Sequence, residues 1–171
     1  MEDTKHNSMN KLKDRENFLE NSVVRELIQN VEHIEDKCNS ISGEEVVNLR
    51  IKQLTYAKIL CNVYGKDSSI LIKAYTQLGC SYLDIKYYEQ ATEHILIAFK
   101  LIQSVQNEEM NTTDKEFQIK ILINLAKCYM EFPDKLAASQ SICEKCLELN
   151  KKLFGNNHVS NADIYLTLAK V

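Results

Sequence analysis

The chain has 171 residues, 44% of them hydrophobic and 26% charged, with a formal net charge of -3. That length can bury one core, and the weakly acidic balance argues against nucleic acid or an anionic membrane as the main partner. No apolar run approaches the roughly 20 residues that cross a bilayer. One proline, four glycines and no tryptophan favour long helices over sheets and turns.

Residues 1–20 are dominated by charged and amide side chains and read as a polar, flexible lead-in. The opening MEDTKHNSMN is no signal peptide, so a soluble, cytoplasmic protein is expected. From Val24 the apolar positions Leu27, Ile28, Val31, Ile34 and Cys38 follow helical spacing. This helix opens a first, divergent hairpin over 21–65, or else forms a separate docking helix. Ser42 and Glu45 have capping-box spacing, and the helix after them presents Val47, Ile51, Leu54, Ala57, Cys61 and Tyr64 on one side.

The second hairpin, 66–106, has the clearest pattern. Tyr75, Leu78, Gly79 and Tyr82 share one helical face, and Ala91, Ile95 and Ala98 form a second stripe after a polar break. Ser68 or Ser69 suits the cap of its first helix. The small residues Gly79, Ala91 and Ala98 mark close approach of the two helices. A polar insertion over 107–115 follows, in which Thr113 and Glu116 again have capping-box spacing. The third hairpin, 116–155, carries Phe117, Ile121, Leu122, Leu125 and Tyr129 on its first helix. Pro133 sits at its turn, and Ala138, Ile142, Cys146 and Leu149 are expected to face inward from its second helix. Residues 156–171 read as the first helix of a further, incomplete repeat, with Tyr165, Leu168 and Ala169 to be buried. Ile164, Leu166 and Val171 leave that helix apolar on more than one side, as expected where a longer array or another protein covers it.

The hairpins repeat. Leu125, Ala126 and Tyr129 reproduce the spacing of Leu78, Gly79 and Tyr82, and Gly155, Tyr165, Leu168 and Ala169 reproduce that of Gly65, Tyr75, Leu78 and Gly79. The intervals between aligned leucines, 47 and 43 residues, suit stacked helical hairpins. The set Tyr75, Leu78, Gly79, Tyr82, Ala91, Ile95 and Ala98 resembles the tetratricopeptide repeat. The long period, Tyr64-Gly65, Phe154-Gly155 and the triplet Asn124-Leu125-Ala126 make it similar to the long repeats of kinesin light chains. The resemblance covers residues 42–171 and implies an all-α fold, a right-handed superhelical array of antiparallel hairpins (an α-solenoid). It also implies a cytoskeletal or ciliary setting and a structural role for His158 in the loop after Phe154-Gly155.

No catalytic or cofactor motif stands out. Cys38, Cys61, Cys80, Cys128, Cys143 and Cys146 read as reduced thiols packed between helices. The CxxC of Cys143 and Cys146 lies within a helix without a second pair, so no metal is expected. The histidines are scattered, and the glycines are too isolated for a phosphate loop.

Function is therefore expected on the inner face lined by the first helix of each hairpin. Lys73, Gln77, Lys120, Asn124, Lys127 and Lys170 are the candidate partner-binding residues, with Thr76, Cys80, Ile123, Asp163, Leu166 and Thr167 beside them. The lysines favour an acidic peptide, or simply keep the helices soluble. In the resembled repeats an asparagine at the position of Asn124 holds the backbone of an extended peptide; Gln77 and Thr167 stand there in the other copies. The expected function is a non-enzymatic scaffold that binds a protein segment without a cofactor. The alternatives are a helical regulatory domain of a larger protein with a separate catalytic part, and a structural element of a large complex.

Overall fold

The computed structural model describes residues 21–65, 67–104, 112–156 and 158–170. Within them the regular structure is all helical, α-helices with one short 3-10 turn. Helix α1 covers 21–38. It is followed by α2 (Glu44–Asn62), α3 (Ser68–Asp84), α4 (Tyr88–Ser104), α5 (Thr112–Tyr129), α6 (Leu136–Phe154) and α7 (Ser160–Leu168). The lead-in over 1–20 and most of the insertion expected over 107–115 lie outside the described residues, but α5 already includes 112–115.

The helix starts differ from those expected. Asp67, not Ser68 or Ser69, caps α3 by accepting a hydrogen bond from the Ser69 amide at 3.0 Å. Gly43 stands at the cap of α2 with φ 72° and no side-chain bond, so Ser42 and Glu45 form no capping box. Glu44 and Glu45 instead place negative charge on the exposed amides of the first turn. Thr113 lies inside the first turn of α5 rather than before it. Pro133 opens a short 3-10 turn, Pro133–Lys135, that leads into α6, where its fixed φ and missing amide suit a helix entrance.

From α2 onward each helix packs on the next, as short connections between antiparallel helices require. In addition α3 touches α5 and α5 touches α7, whereas among α2, α4 and α6 no neighbouring pair packs to that extent. The first helices of successive hairpins are thus gathered on one side of the array. The core runs along the chain as three clusters: Val47, Leu54, Ala57, Ala74 and Leu78; then Ile72, Ala91, Ile95, Ala98, Ile121 and Leu125; then Ile119, Ile123, Ala126, Cys143, Cys146 and Ile164. Where α3 crosses α4, a Cβ on Gly79 would lie 2.5 Å from Ile95 Cγ1 and 3.2 Å from the Ala91 carbonyl oxygen. Only glycine fits that crossing, in agreement with the small-residue pattern. Phe154-Gly155 ends α6 with Gly155 at φ 88°, a left-handed backbone that suits glycine.

Three inner faces are rotated from the expected ones. On α2, Arg50 and Gln53 are buried and Ile51 is exposed. Arg50 donates to Gln53 Oε1 at 2.7 Å, and Gln53 Nε2 donates to the Val31 carbonyl on α1 at 3.1 Å. On α6 the buried side chains are Ser139, Cys143, Cys146 and Asn150, while Ala138 and Leu149 face solvent. Ser139 Oγ donates to the Ala126 carbonyl of α5 at 2.8 Å, which holds that narrow side of α6 against α5. On α7, Asn161, Ile164 and Thr167 are buried, Leu168 is half-buried, and Tyr165, Leu166 and Ala169 are exposed. The register of α7 follows its contacts with α6 and α5.

Candidate partner-binding groove

The gathered side of α1, α3, α5 and α7 is crossed by polar links. Lys73 Nζ lies 2.8 Å from Glu35 Oε2, and Gln77 Nε2 donates to Glu35 Oε1 at 3.0 Å, joining α3 to α1. Asn124 Nδ2 donates to Cys80 Sγ at 3.2 Å, joining α5 to α3. Lys127 Nζ donates to both oxygens of Asp163 at 3.0 Å, joining α5 to α7. Four of the candidate residues, Lys73, Gln77, Asn124 and Lys127, are therefore engaged between helices. Thr76 and Thr167 turn their hydroxyls back to the carbonyls of Ile72 and Asp163, and Ile123 is buried in the core.

Two cavities open along this side. The first, about 530 Å³, lies between α1, α2, α3 and α5 and is lined in part by Glu35, Arg50, Lys73, Gln77, Asp84 and Lys120. The second, about 440 Å³, lies between α5, α6 and α7 and is lined in part by Ile119, Ile123, Asn150, Ser160 and Asp163. Phe117 and Lys120 line both, so the two cavities adjoin at these side chains, which stand at the waist of the groove. Of the candidate residues, Lys73, Gln77 and Lys120 reach the groove; Asn124, Lys127 and Lys170 line neither cavity.

Three buried polar atoms on this wall have no hydrogen-bond partner: Arg50 Nε and Gln77 Oε1 in the first cavity and Asn150 Oδ1 in the second. Their orientations are fixed by their other bonds. Gln77 must present its amide to the Glu35 carboxylate. Asn150 must present its own amide to Ser160 Oγ at 2.6 Å and to Asn161 Oδ1 at 2.9 Å, because the Asn161 amide is used on the carbonyls of Gly155 and Asn156. A buried polar group without a partner costs about 1–3 kcal/mol. These atoms expose almost no surface, so they lie behind the lining of the cavities rather than on it.

The electrostatics of the groove are mixed. Burial alone raises the Glu35 carboxyl, but the hydrogen bond and charge of Lys73, with Gln77 and the Arg50 charge, bring it below its ordinary value. Burial raises Asp84, opposed by the charge of Lys127. Burial also raises Cys80 and pushes the Cys128 and Cys146 thiols up to about 11 and about 12. Those last two are protonated packing groups rather than nucleophiles. No cluster of three or more metal-ligating side chains occurs among the described residues, and no described helix is long and apolar enough to cross a membrane. His158 stacks on Phe154 with ring centroids 4.7 Å apart and shares a short hydrogen bond of 2.6 Å with Ser160, which orders the α6–α7 turn.

Residues 50–170 match the family described as "Meiosis protein SPO22/ZIP4 like". The chain belongs to that family. No curated protein matches it. Membership in the SPO22/ZIP4-like family gives the chain a place among meiosis proteins and gives no support to the cytoskeletal or ciliary setting implied by the kinesin-light-chain resemblance. The matched span begins at Arg50 and takes in both cavity walls from α3 to α7.

Sequence reasoning missed Arg50, Phe117 and Asn150 as groove residues. A signal for two of them was present. Arg50 interrupts the stripe of Val47, Leu54 and Ala57, and Asn150 continues the spacing of Cys143 and Cys146, so each is a polar side chain in an apolar helical register.

Proposed function

We propose that this chain is a non-enzymatic interaction module of meiosis that holds an extended segment of another protein along the groove of α1, α3, α5 and α7. The observation that carries this reading is the pair of adjoining cavities on the gathered side of α1, α3, α5 and α7, which share Phe117 and Lys120 in their linings. Lys120 at the waist favours acidic side chains on that segment. Membership in a meiosis family supports the setting.

Site-specific photo-crosslinking tests it. A photo-reactive phenylalanine at Phe117, introduced into the chain in extract from meiotic cells, is expected to label one contiguous segment of a partner, and Lys120→Glu is expected to abolish the adduct. Labelling that arises only from probes on the opposite side, such as at Lys100 or Glu144, and survives Lys120→Glu would move the interaction to the outer helices.

A further inference from the structure

Of the three aligned first helices, α3 and α5 each carry a second helix on the same face. Ala91, Ile95 and Ala98 of α4 are fully buried, and so are Ser139, Cys143 and Cys146 of α6, which have the same spacing. Ile95 of α4 stands over Gly79 of α3. Cys143 of α6 joins Ala126 of α5, the aligned position, in one apolar cluster. The sizes compensate: the larger Ile95 meets glycine and the smaller Cys143 meets alanine, as close packing requires. On α7 the aligned residues are Tyr165 and Ala169. With Ala162 and Leu166 they form an apolar stripe at i, i+3, i+4 and i+7 that lies exposed, Tyr165 by 48% and Leu166 by 56%. The surroundings of the tyrosine repeat in part. Lys58 Nζ, from the helix before α3, lies 5.5 Å from the Tyr75 ring, and His94 of α4 stacks on that ring at 6.0 Å. Lys151 Nζ, from the helix before α7, lies 5.7 Å from the Tyr165 ring, but among the described residues no ring stacks on Tyr165.

We infer that the stripe on α7 is a docking seat for an amphipathic helix with small residues at i, i+4 and i+7 and a flat ring at i+3, laid on α7 as α4 lies on α3 and α6 on α5. Continuity with those two filled interfaces fixes the occupant. Its i+4 residue is Ala, Ser or Cys, because Ala169 repeats Ala126 and leaves no room for the isoleucine that Gly79 admits. Its i+3 residue is a ring, because Tyr165 beside Lys151 repeats Tyr75 beside Lys58, and His94 holds that place in α4. The seat is distinct from the groove, since no residue of the stripe lines either cavity, and it does not rest on the groove reading.

The test adds a helix-stapled peptide to the full chain and reads fluorescence anisotropy. The peptide has the sequence of residues 88–104 with Ile95→Ala, so that it presents Ala91, His94 and Ala98 around a small central residue. Saturable binding is expected, and Ala169→Leu in the chain is expected to weaken it about tenfold or more, the effect of overpacking one close contact. The melting temperature of that variant should be unchanged, because Ala169 is exposed. A second peptide that also carries Ala91→Leu and Ala98→Leu is as apolar but lacks the small positions, and it is expected not to bind. His94→Ser in the first peptide is expected to weaken binding as Tyr165→Ser in the chain does.

Equal binding of the leucine peptide, binding that survives Ala169→Leu, or no binding at all overturns the proposal. Binding lost with Lys120→Glu would place the peptide in the groove and overturn it as well. A dimer of the chain in light scattering that Ala169→Leu dissociates would put a second copy on the face in place of the helix described. Binding unchanged by Lys120→Glu and lost with Ala169→Leu, from a monomeric chain, supports it.

Discussion

The side-chain amide of Asn124 on α5 donates to the sulfur of Cys80 on α3 across 3.2 Å. The two residues are half-buried and lie 44 positions apart, so this bond is one of the few polar links between successive hairpins. Replacing Asn124 by Leu removes it and leaves a weakly polar sulfur behind, a small penalty. The expected loss is about 1 kcal/mol, seen as a fall in melting temperature of about 2–4 °C. A loss several times larger would show that Asn124 has a structural role beyond this bond.

Gly79→Ala places a methyl group into Ile95 and against the Ala91 carbonyl. Overpacking of this kind costs about 1–3 kcal/mol. Because the closest atom belongs to the Ile95 side chain, the cost should shrink in an Ile95→Ala background, where the same methyl group fills part of the space vacated. A double-mutant cycle by chemical denaturation reads the coupling. Additive effects would mean that the Ala91 backbone, not Ile95, sets the limit.

Lys86 sits at φ 65° in the turn between α3 and α4, where the Tyr87 amide reaches back to the Tyr82 carbonyl at 2.9 Å. This is the closure that usually places glycine in the left-handed position. Lys86→Gly is expected to stabilise the chain by about 1 kcal/mol through relief of that conformation. A lower melting temperature for the variant would contradict it.

Burial holds the His94 imidazole below its ordinary pKa of 6.5, with the charge of Lys58 acting in the same direction and Glu93 against it. The ring lies beside Tyr82 and Tyr75, at 5.5 Å and 6.0 Å, and its Nδ1 is buried without a partner. Below about pH 6.5 the unfolded chain takes up a proton on this residue that the folded chain resists, so its contribution to stability is complete above that pH and is lost as the pH falls toward the folded value. Melting temperatures measured from about pH 7.5 down to about pH 5.5 should fall more steeply for wild type than for His94→Phe, which keeps the stack and cannot titrate. Parallel curves would remove His94 from the account.

Sequence periodicity was sufficient where a face is made of apolar and small residues. Leu78, Gly79, Ala91, Ile95 and Ala98 could be placed because nothing polar competes for that side of α3 and α4. The phases of α2, α6 and α7 could not, because their inner faces hold Arg50, Gln53, Ser139, Asn150 and Asn161, whose partners are supplied by other residues only after folding. The same reason explains the groove. Lys73 and Lys127 look free in one dimension, and Glu35 and Asp163, 38 and 36 positions away, are what occupy them. Arg50 and Asn150 were hidden by the opposite effect, since a polar residue within a stripe is easily assigned to solvent.

The rungs that join α1 to α3 and α5 to α7 are ion pairs with exposed members, each worth about 0–1 kcal/mol. The apolar clusters, by contrast, bind more strongly and also reach across, since Ile72 of α3 joins Ile121 and Leu125 of α5, and Ile123 of α5 joins Ile164 of α7. A load that spreads the first helices apart therefore meets the weak fastenings first and the apolar seam behind them. In mechanical terms the array is a row of plates with weak clasps laid over a glued joint. Salt, which screens such clasps, acts on it as a lubricant.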